Sequence, residues 1–327
     1  MVDLKAQYLD IKEDIDQAIT NVIQSTQFVQ GTPVREFESQ LAKYLNVRHV
    51  ISCGNGTDAI QLALMALDLK PGDEVITPAF SYIACVEMMA LLGIKPVLVD
   101  VDDEYFNIDA SLIENAISEK TRAIMPVHLF GQACDMDRLM AIAMQYKLHV
   151  IEDNAQSIAC RYTGATLEGF TGTLGTMGTC SFFPSKNLAC YGDGGAVFTN
   201  DFELAVKLRM TAGHGQSKKY IHDRLGINSR LDTIQAAVLK VNLGNLDRYT
   251  AQRRKAADLY DRFLGEIKDI SIPARNSYSN HVFHQYTISL QADKRDALKH
   301  YLSENGIATS IYYPFPIHQQ KAYRAVV

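Results

Sequence analysis

Residues 148–157 read LHVIEDNAQS. A short apolar run through Val150 and Ile151 ends in two carboxylates, Glu152 and Asp153, followed by Asn154, Gln156 and Ser157. This is the pattern of a buried strand that opens onto something polar at its carboxyl end. The same rhythm continues upstream in HVISC (49–53), DEVITPA (73–79), KPVLVDV (95–101) and TRAIMPVHL (121–129). Longer amphipathic stretches separate these runs: DAIQLALMALDL, IACVEMMALLG, DASLIENAISEK and MDRLMAIAMQYK. The alternation predicts βαβ units around a mostly parallel sheet, an α/β fold. In such sheets ligands bind beyond the carboxyl ends of the strands, so the residues just after each run carry the functional information.

Upstream of the first strand, Ile11 to Leu45 shows helical spacing, interrupted by the Gly and Pro of FVQGTPV (28–34). Downstream, Cys180 to Asn200 reads as two short strands flanking a glycine-rich loop. After about Asp247 the composition shifts to charged helix (AQRRKAADLYDRFLGEIKD). A strand candidate (HQYTISLQ), a helix (KRDALKHYLSEN) and a last strand candidate (ATSIYYPF) follow. The expected organisation is a large domain over 1–247 and a smaller α/β domain over 248–327.

The chain has 327 residues and a net charge of −5, from 32 Lys+Arg against 37 Asp+Glu. The acidic balance argues against a nucleic-acid binder. No apolar run reaches the length of a membrane span, and the charged N-terminus lacks the core of a signal peptide. Six scattered cysteines form no C-x-x-C pair and no zinc spacing, so no metal is expected. They read as reduced, mostly buried thiols of a cytoplasmic protein.

Several strand ends offer chemistry. HVISC runs through Gly54-Asn55-Gly56-Thr57 into a helix, whose N-terminus can seat a phosphate beside Gly56 and Thr57. A simple capped turn, with glycine supplying a left-handed backbone, is the plainer reading of this stretch alone. Tyr82, just past the second strand, can stack on a flat ligand, or it can join Phe80 on the rim of the core. Asp153 can hold a proton on a heteroaromatic nitrogen, as pyridoxal phosphate requires of its electron sink, with Gln156 reaching the ring's phenolic oxygen. The alternative is a magnesium-binding or structural acidic pair. Lys186 lies in SFFPSKNLACYGDGGAV, among apolar residues and glycines, where desolvation can favour the neutral amine needed for a Schiff base. Ser181 can reach a cofactor phosphate. A solvated loop lysine is the plainer alternative, against which Phe182, Phe183 and Pro184 weigh. The segment from His214 to Asp232 is locally basic and can attract a diphosphate, or it is simply a solvated loop.

Together these pieces resemble the DegT/DnrJ/EryC/StrS sugar aminotransferases, pyridoxal-phosphate enzymes of the aspartate-aminotransferase fold (fold type I). The resemblance rests on VDLKAQY, FVQGTPVREFE, ISCGNGTDAIQLAL, PGDEVITPAFSYIA, PVHLFGQACDMD, VIEDNAQS, SFFPSKNLACYGDGGAVFTND, HGQ, GINSRLDTIQAA and YYPFPIH, in order along nearly the whole chain. It implies that the large domain binds pyridoxal 5'-phosphate. Lys186 is then the Schiff-base lysine and acid/base, Asp153 the partner of the pyridine nitrogen, and Gln156 the neighbour of the ring hydroxyl. Gly56, Thr57 and Ser181 form the phosphate cup, and Tyr82 stacks on the ring. Asn228 is donated to the phosphate of a neighbouring subunit, so a homodimer with shared active sites is implied. Arg230, Tyr313 and His318 fall in segments that contact the nucleotide-sugar.

The implied reaction passes an amino group from L-glutamate to a nucleotide-linked keto sugar. It leans to a UDP-linked 3-keto sugar, uronic acids included, with dTDP-linked 3-keto or 4-keto sugars as the alternative. The products would feed surface polysaccharide or glycoconjugate synthesis. Two departures matter. Tyr312-Tyr313-Pro314 stands where many relatives carry His-Tyr-Pro, at a position that faces the sugar. Relatives also run several dozen residues further, so the sequence is expected to lack its natural ends and the small domain part of its packing. Three rivals each lack their mark in this sequence, which keeps both Lys186 and Asp153. The sugar-dehydratase branch replaces the lysine with histidine. A non-catalytic regulator on this fold would lose the lysine or the aspartate. A dinucleotide-dependent oxidoreductase would need a G-x-G-x-x-G turn, which no strand here precedes.

Overall fold

The computed structural model describes residues 3–326. Helices α1 (Leu4–Asp10), α2 (Lys12–Ser25) and α3 (Thr32–Leu45) come first. Pro33 lies in the first turn of α3, where its missing N–H is no loss. Strands β1 (His49–Cys53), β2 (Glu74–Pro78), β3 (Lys95–Val99), β4 (Thr121–Ile124) and β5 (His149–Asp153) follow, matching the five apolar runs. A small hairpin, β6 (Arg161–Thr163) and β7 (Glu168–Phe170), precedes β8 (Met177–Ser181) and β9 (Gly195–Thr199).

Seven strands form the central sheet in the order β1-β9-β8-β5-β4-β2-β3. Only β9 runs antiparallel to its neighbours. The carboxyl ends of the other six therefore share one edge. Successive residues of each strand face opposite sides. Ile51, Val75, Ala123, Ile151 and Val197 pack on one side with α4 (Gly56–Ala66), α5 (Ala84–Leu91) and, further on, α8 (Phe202–Ala212). Val50, Ile76, Ile124, Val150 and Phe198 face the other side. Both faces are apolar because both are covered, which is why the runs read as continuous rather than alternating. Short α6 (Ile113–Ala116) and α7 (Met136–Tyr146) complete that second layer.

Helix α9 (Thr233–Leu264) has 32 residues and packs on α2 and α3. It is unbroken, so the expected division at 247/248 falls inside it. Its second half reaches the C-terminal segment: Arg253 donates to the carbonyls of Phe283 and His284, and Arg254 to that of His281. Hairpin β10 (Gln216–Lys218) and β11 (Ile221–His222) precedes α9. Beyond it, α10 (Ala292–Glu304) buries no residue fully. Of HQYTISLQ, only Ser289–Leu290 forms a strand, β13, paired with β12 (Ile270–Ser271). ATSIYYPF forms no strand. It finds no neighbouring strand to pair with and folds back toward the sheet edge, where Ile317 N–H donates to the Ala79 carbonyl at 2.9 Å. The six cysteines are all free and buried. Among the described residues no helix is long and apolar enough to cross a membrane.

Close packing inside the sheet gives a stability test. A Cβ on Gly178, in β8, would lie 2.0 Å from the Gly172 carbonyl oxygen and 2.5 Å from its Cα, atoms that cannot swing aside. Gly178→Ala is expected to lower stability by about 2–4 kcal/mol in urea unfolding. Gly244, exposed in α9 with nothing near its absent Cβ, gives the opposite case. Gly244→Ala should gain about 0.5–1 kcal/mol. Equal midpoints for the two variants would contradict this packing.

Candidate active site

The end of β5 sends its two carboxylates in opposite directions. Glu152 points into the second layer and is fully buried. It accepts the N–H groups of Gly172 (2.7 Å), Leu174 (2.7 Å) and Gly175 (2.6 Å) and meets His128 Nε2 at 2.8 Å. His128 Nδ1 accepts the Cys134 N–H at 3.1 Å, so Nε2 carries the proton and donates to Glu152. Every contact of Glu152 is internal, which makes it the structural member of the pair. Asp153 faces the other way. Its Oδ1 accepts the Ala155 N–H at 3.0 Å and its Oδ2 lies 3.3 Å from Cys85 Sγ. The period of two along a strand separates the roles that the dipeptide alone left open.

Lys186 lies on the loop from β8 to β9. That loop folds on itself: Phe182 N–H donates to Gly194 O, Cys190 N–H to Phe182 O, and Lys186 N–H to Phe183 O, each at 2.8 Å. Burial pushes the Lys186 ammonium below its ordinary value, and the negative charge of Asp153 opposes that shift. The lysine and the carboxylate thus share one electrostatic neighbourhood. His284 belongs to it too. Burial lowers its imidazole well below the usual range, with Lys186 and Arg253 adding to the effect, and its Nδ1 is enclosed without a partner. Nothing in HVFHQY marks that histidine; only the fold brings it to Lys186.

The phosphate-cup candidates also come together. Asn55 caps α4 by accepting the Asp58 N–H at 2.8 Å, which leaves the helix end open at Gly56 and Thr57. A Cβ on Gly56 would lie 2.6 Å from Ser181 Cβ, so this glycine is required by the approach of Ser181. Neither Gly54 nor Gly56 has a positive φ, so the left-handed turn reading does not hold here.

Gln156 is oriented at both ends. Its Oε1 accepts the Phe130 N–H at 2.8 Å and its Nε2 donates to the Tyr313 hydroxyl at 3.2 Å. Tyr313 therefore sits beside the cofactor-side residues, and burial raises its phenol well above the usual range, with Asp153 adding to the shift. Tyr82 is exposed. His318 lies elsewhere. It lines a crevice of about 780 Å³ with Phe80, Lys95, Asp100, Asp103 and Phe106, beyond Phe80 from Tyr313. Asn228 and Arg230 are exposed on either side of buried Ser229, whose hydroxyl donates to Asp58 (2.6 Å) and accepts from Gly54 N–H (2.9 Å). In the single chain Asn228 and Arg230 thus present their side chains to solvent.

This constellation suits pyridoxal 5'-phosphate. An amine held toward neutrality can bond an aldehyde, an ionised carboxyl can face a pyridinium, and an open helix end can seat a phosphate. Fold and site define a pyridoxal-phosphate enzyme of fold type I. The DegT/DnrJ/EryC1/StrS aminotransferase family model matches residues 9–327. A pleiotropic regulatory protein of Geobacillus stearothermophilus is 48% identical over 328 residues, covering 100% of this chain and 87% of its own. The UDP-2-acetamido-2-deoxy-3-oxo-D-glucuronate aminotransferase of Pseudomonas aeruginosa is 46% identical over 321 residues, covering 98% and 88%. Among solved structures, Streptomyces venezuelae DesV in complex with a ketimine intermediate has a TM-score of 0.94 at 40% identity, over 99% of this chain and 85% of that one. NtdA of Bacillus subtilis, with bound cofactor PMP, has a TM-score of 0.88 at 36% identity, over 95% and 71%. The chain belongs to the DegT/DnrJ/EryC1/StrS aminotransferase family. It is a transaminase and its cofactor is pyridoxal phosphate.

The buried amine has a pH signature. With the folded-state value of Lys186 depressed, the cofactor-free folded protein binds fewer protons there than the unfolded chain. The penalty is fully present below the depressed value and fades as pH rises toward the ordinary 10.5. Lys186→Met is therefore expected to raise the Tm of the cofactor-free protein at neutral pH, with the gain shrinking toward alkaline pH. A gain that grew with pH would contradict the assignment.

Proposed function

We propose that this transaminase passes the amino group of L-glutamate to a nucleotide-linked keto sugar, most nearly a UDP-linked 3-keto sugar such as a uronic acid. The observation that carries the reading is the convergence, at one edge of the sheet, of Asp153 at the end of β5, the open α4 terminus where Gly56 meets Ser181, and the β8–β9 loop that bears Lys186. The substrate class is supported by the name of the Pseudomonas relative.

In this reading Lys186 holds the cofactor and later takes and returns a proton at the reacting carbon through its Nζ. Asp153 holds the proton on the ring nitrogen. Gln156, fixed by Phe130 N–H, turns its Nε2 toward the ring hydroxyl and Tyr313. Gly56, Thr57 and Ser181 take the phosphate at the α4 terminus. Tyr82 would stack on the ring. The cofactor itself supplies the electron sink that makes the amino carbon's proton removable. Tyr313, Arg230 and His318 contact the nucleotide-sugar.

Asn228 reaches the phosphate of a second copy, in a homodimer with shared sites. The supporting surface is apolar: Tyr220 is 79% exposed and Leu225 87% exposed, next to Ile221 and the basic residues Lys218, Lys219 and Arg224. Such exposed apolar area calls for a partner. A cytoplasmic location and a role in polysaccharide synthesis follow from the same reading.

The purified protein should be yellow, and borohydride should bleach it and fix the cofactor to Lys186 by mass spectrometry. Lys186→Ala should lower kcat by at least about 10²–10⁴-fold; full activity would remove Lys186 from its role. UDP- and dTDP-linked 3-amino and 4-amino sugars, run in the reverse direction, should differ in how fast they discharge the visible band. Fastest discharge by a dTDP sugar would overturn the UDP preference.

A further inference from the structure

Cys85 opens a question that the reaction above leaves untouched. It lies in the first turn of α5, is 1% exposed, and faces the same side of the sheet as Ile151 and Asp153. Its Sγ is 3.3 Å from Asp153 Oδ2. The thiols of Cys53, Cys134, Cys180 and Cys190 donate to backbone carbonyls, at 3.3, 3.2, 3.9 and 3.0 Å respectively for the first contact of each. Cys85 donates to a carboxylate. Burial, with the charge of Asp153 second, raises this thiol well above its ordinary value, so it keeps its hydrogen. The other polar neighbour, Thr77, sends its own hydrogen to the Met125 carbonyl at 3.0 Å.

Asp153 is thus held on both oxygens, Oδ1 by the Ala155 N–H and Oδ2 by the thiol. A donor on a carboxylate draws off negative charge and lowers its basicity, and S–H does so less than O–H. We propose that Cys85 is a positioning residue for the transamination: its S–H···Oδ2 contact fixes the direction of the Asp153 carboxylate and sets how strongly it holds the proton of the pyridine nitrogen. The proposal rests on Asp153 being the ring-nitrogen partner.

Donor strength and packing can be separated. Serine and alanine are both smaller than cysteine, so a packing effect moves both variants the same way. A hydrogen-bond effect moves them in opposite ways, since Cys85→Ser strengthens the donor and Cys85→Ala removes it. The pH midpoint of the cofactor's visible band in the holoenzyme is expected to shift by about half a unit to one unit, with opposite signs in the two variants. Shifts of the same sign, or none, would overturn the proposal.

Infrared spectroscopy of the cofactor-free protein covers the case in which a Cys85 variant does not fold. The Cys85 S–H stretching band should move to higher frequency in Asp153→Asn, because the acceptor loses its charge. An unmoved band overturns the contact. Asp153→Asn holoenzyme tests the underlying reading by itself. If its cofactor binding and band titration match the wild type, Asp153 is not the ring partner, whatever Cys85 does.

Discussion

Two consecutive carboxylates at the end of one strand hold this molecule's working edge together because they cannot point the same way. Glu152 is a fully buried charge, and a buried carboxylate is tolerable only when donors surround it. Three backbone N–H groups and the His128 ring do so. The same bonds hold the turn at Gly172, Leu174 and Gly175, which leads into β8. Strand β8 then presents Ser181 beside the α4 terminus and releases the loop that carries Lys186. The structural carboxylate thus sets the placement of the groups its neighbour works with.

That arrangement has a stability cost, and its form is specific. Lys186 is kept where its charge is disfavoured, with one carboxylate nearby to limit the penalty. His284, whose charged form burial disfavours, adds no compensating charge. A ligand that consumes the amine and supplies a cation opposite Asp153 removes the conflict, so binding and stability are linked. Local strain of this kind at a binding edge is offset by the dense apolar layers on both faces of the sheet.

Much of this was legible in the sequence. The five apolar runs became β1 to β5, and strand alternation carries the separation of Glu152 from Asp153. The Gly56–Ser181 approach was implicit in GNGT and SFFPSK, although the reason for the glycine is space and not backbone handedness. What the sequence hid depends on tertiary contact. Cys85 sits in a helix whose pattern says only core, and His284 in a segment without periodicity. ATSIYYPF has the β-branched and aromatic content of a strand. Strand formation also needs a paired edge, and the chain leaving this segment turns instead to the loop after β2, where Ile317 N–H donates to the Ala79 carbonyl.

The same C-terminal segment links the two ends of the site. Tyr313 bonds Gln156 and packs on Phe80, while Tyr312 packs on Phe130, and Phe80, Phe106 and Phe130 continue the contacts into a closed ring of five aromatic side chains. Phe106 and Phe130 both have left-handed backbones, at φ of 59° and 58°. Such residues persist only where their surroundings over-determine them. Here the ring contacts do so, along with the bond from Phe130 N–H to Gln156 Oε1. A change at Tyr312 therefore acts through this wall as well as directly. The groups proposed to hold the cofactor come from the sheet edge and the loop that leaves it, whereas the wall comes from other loops and the C-terminal segment. Variation in what the site accepts has room in the second set without disturbing the first, and that is where this chain departs from the His-Tyr-Pro pattern.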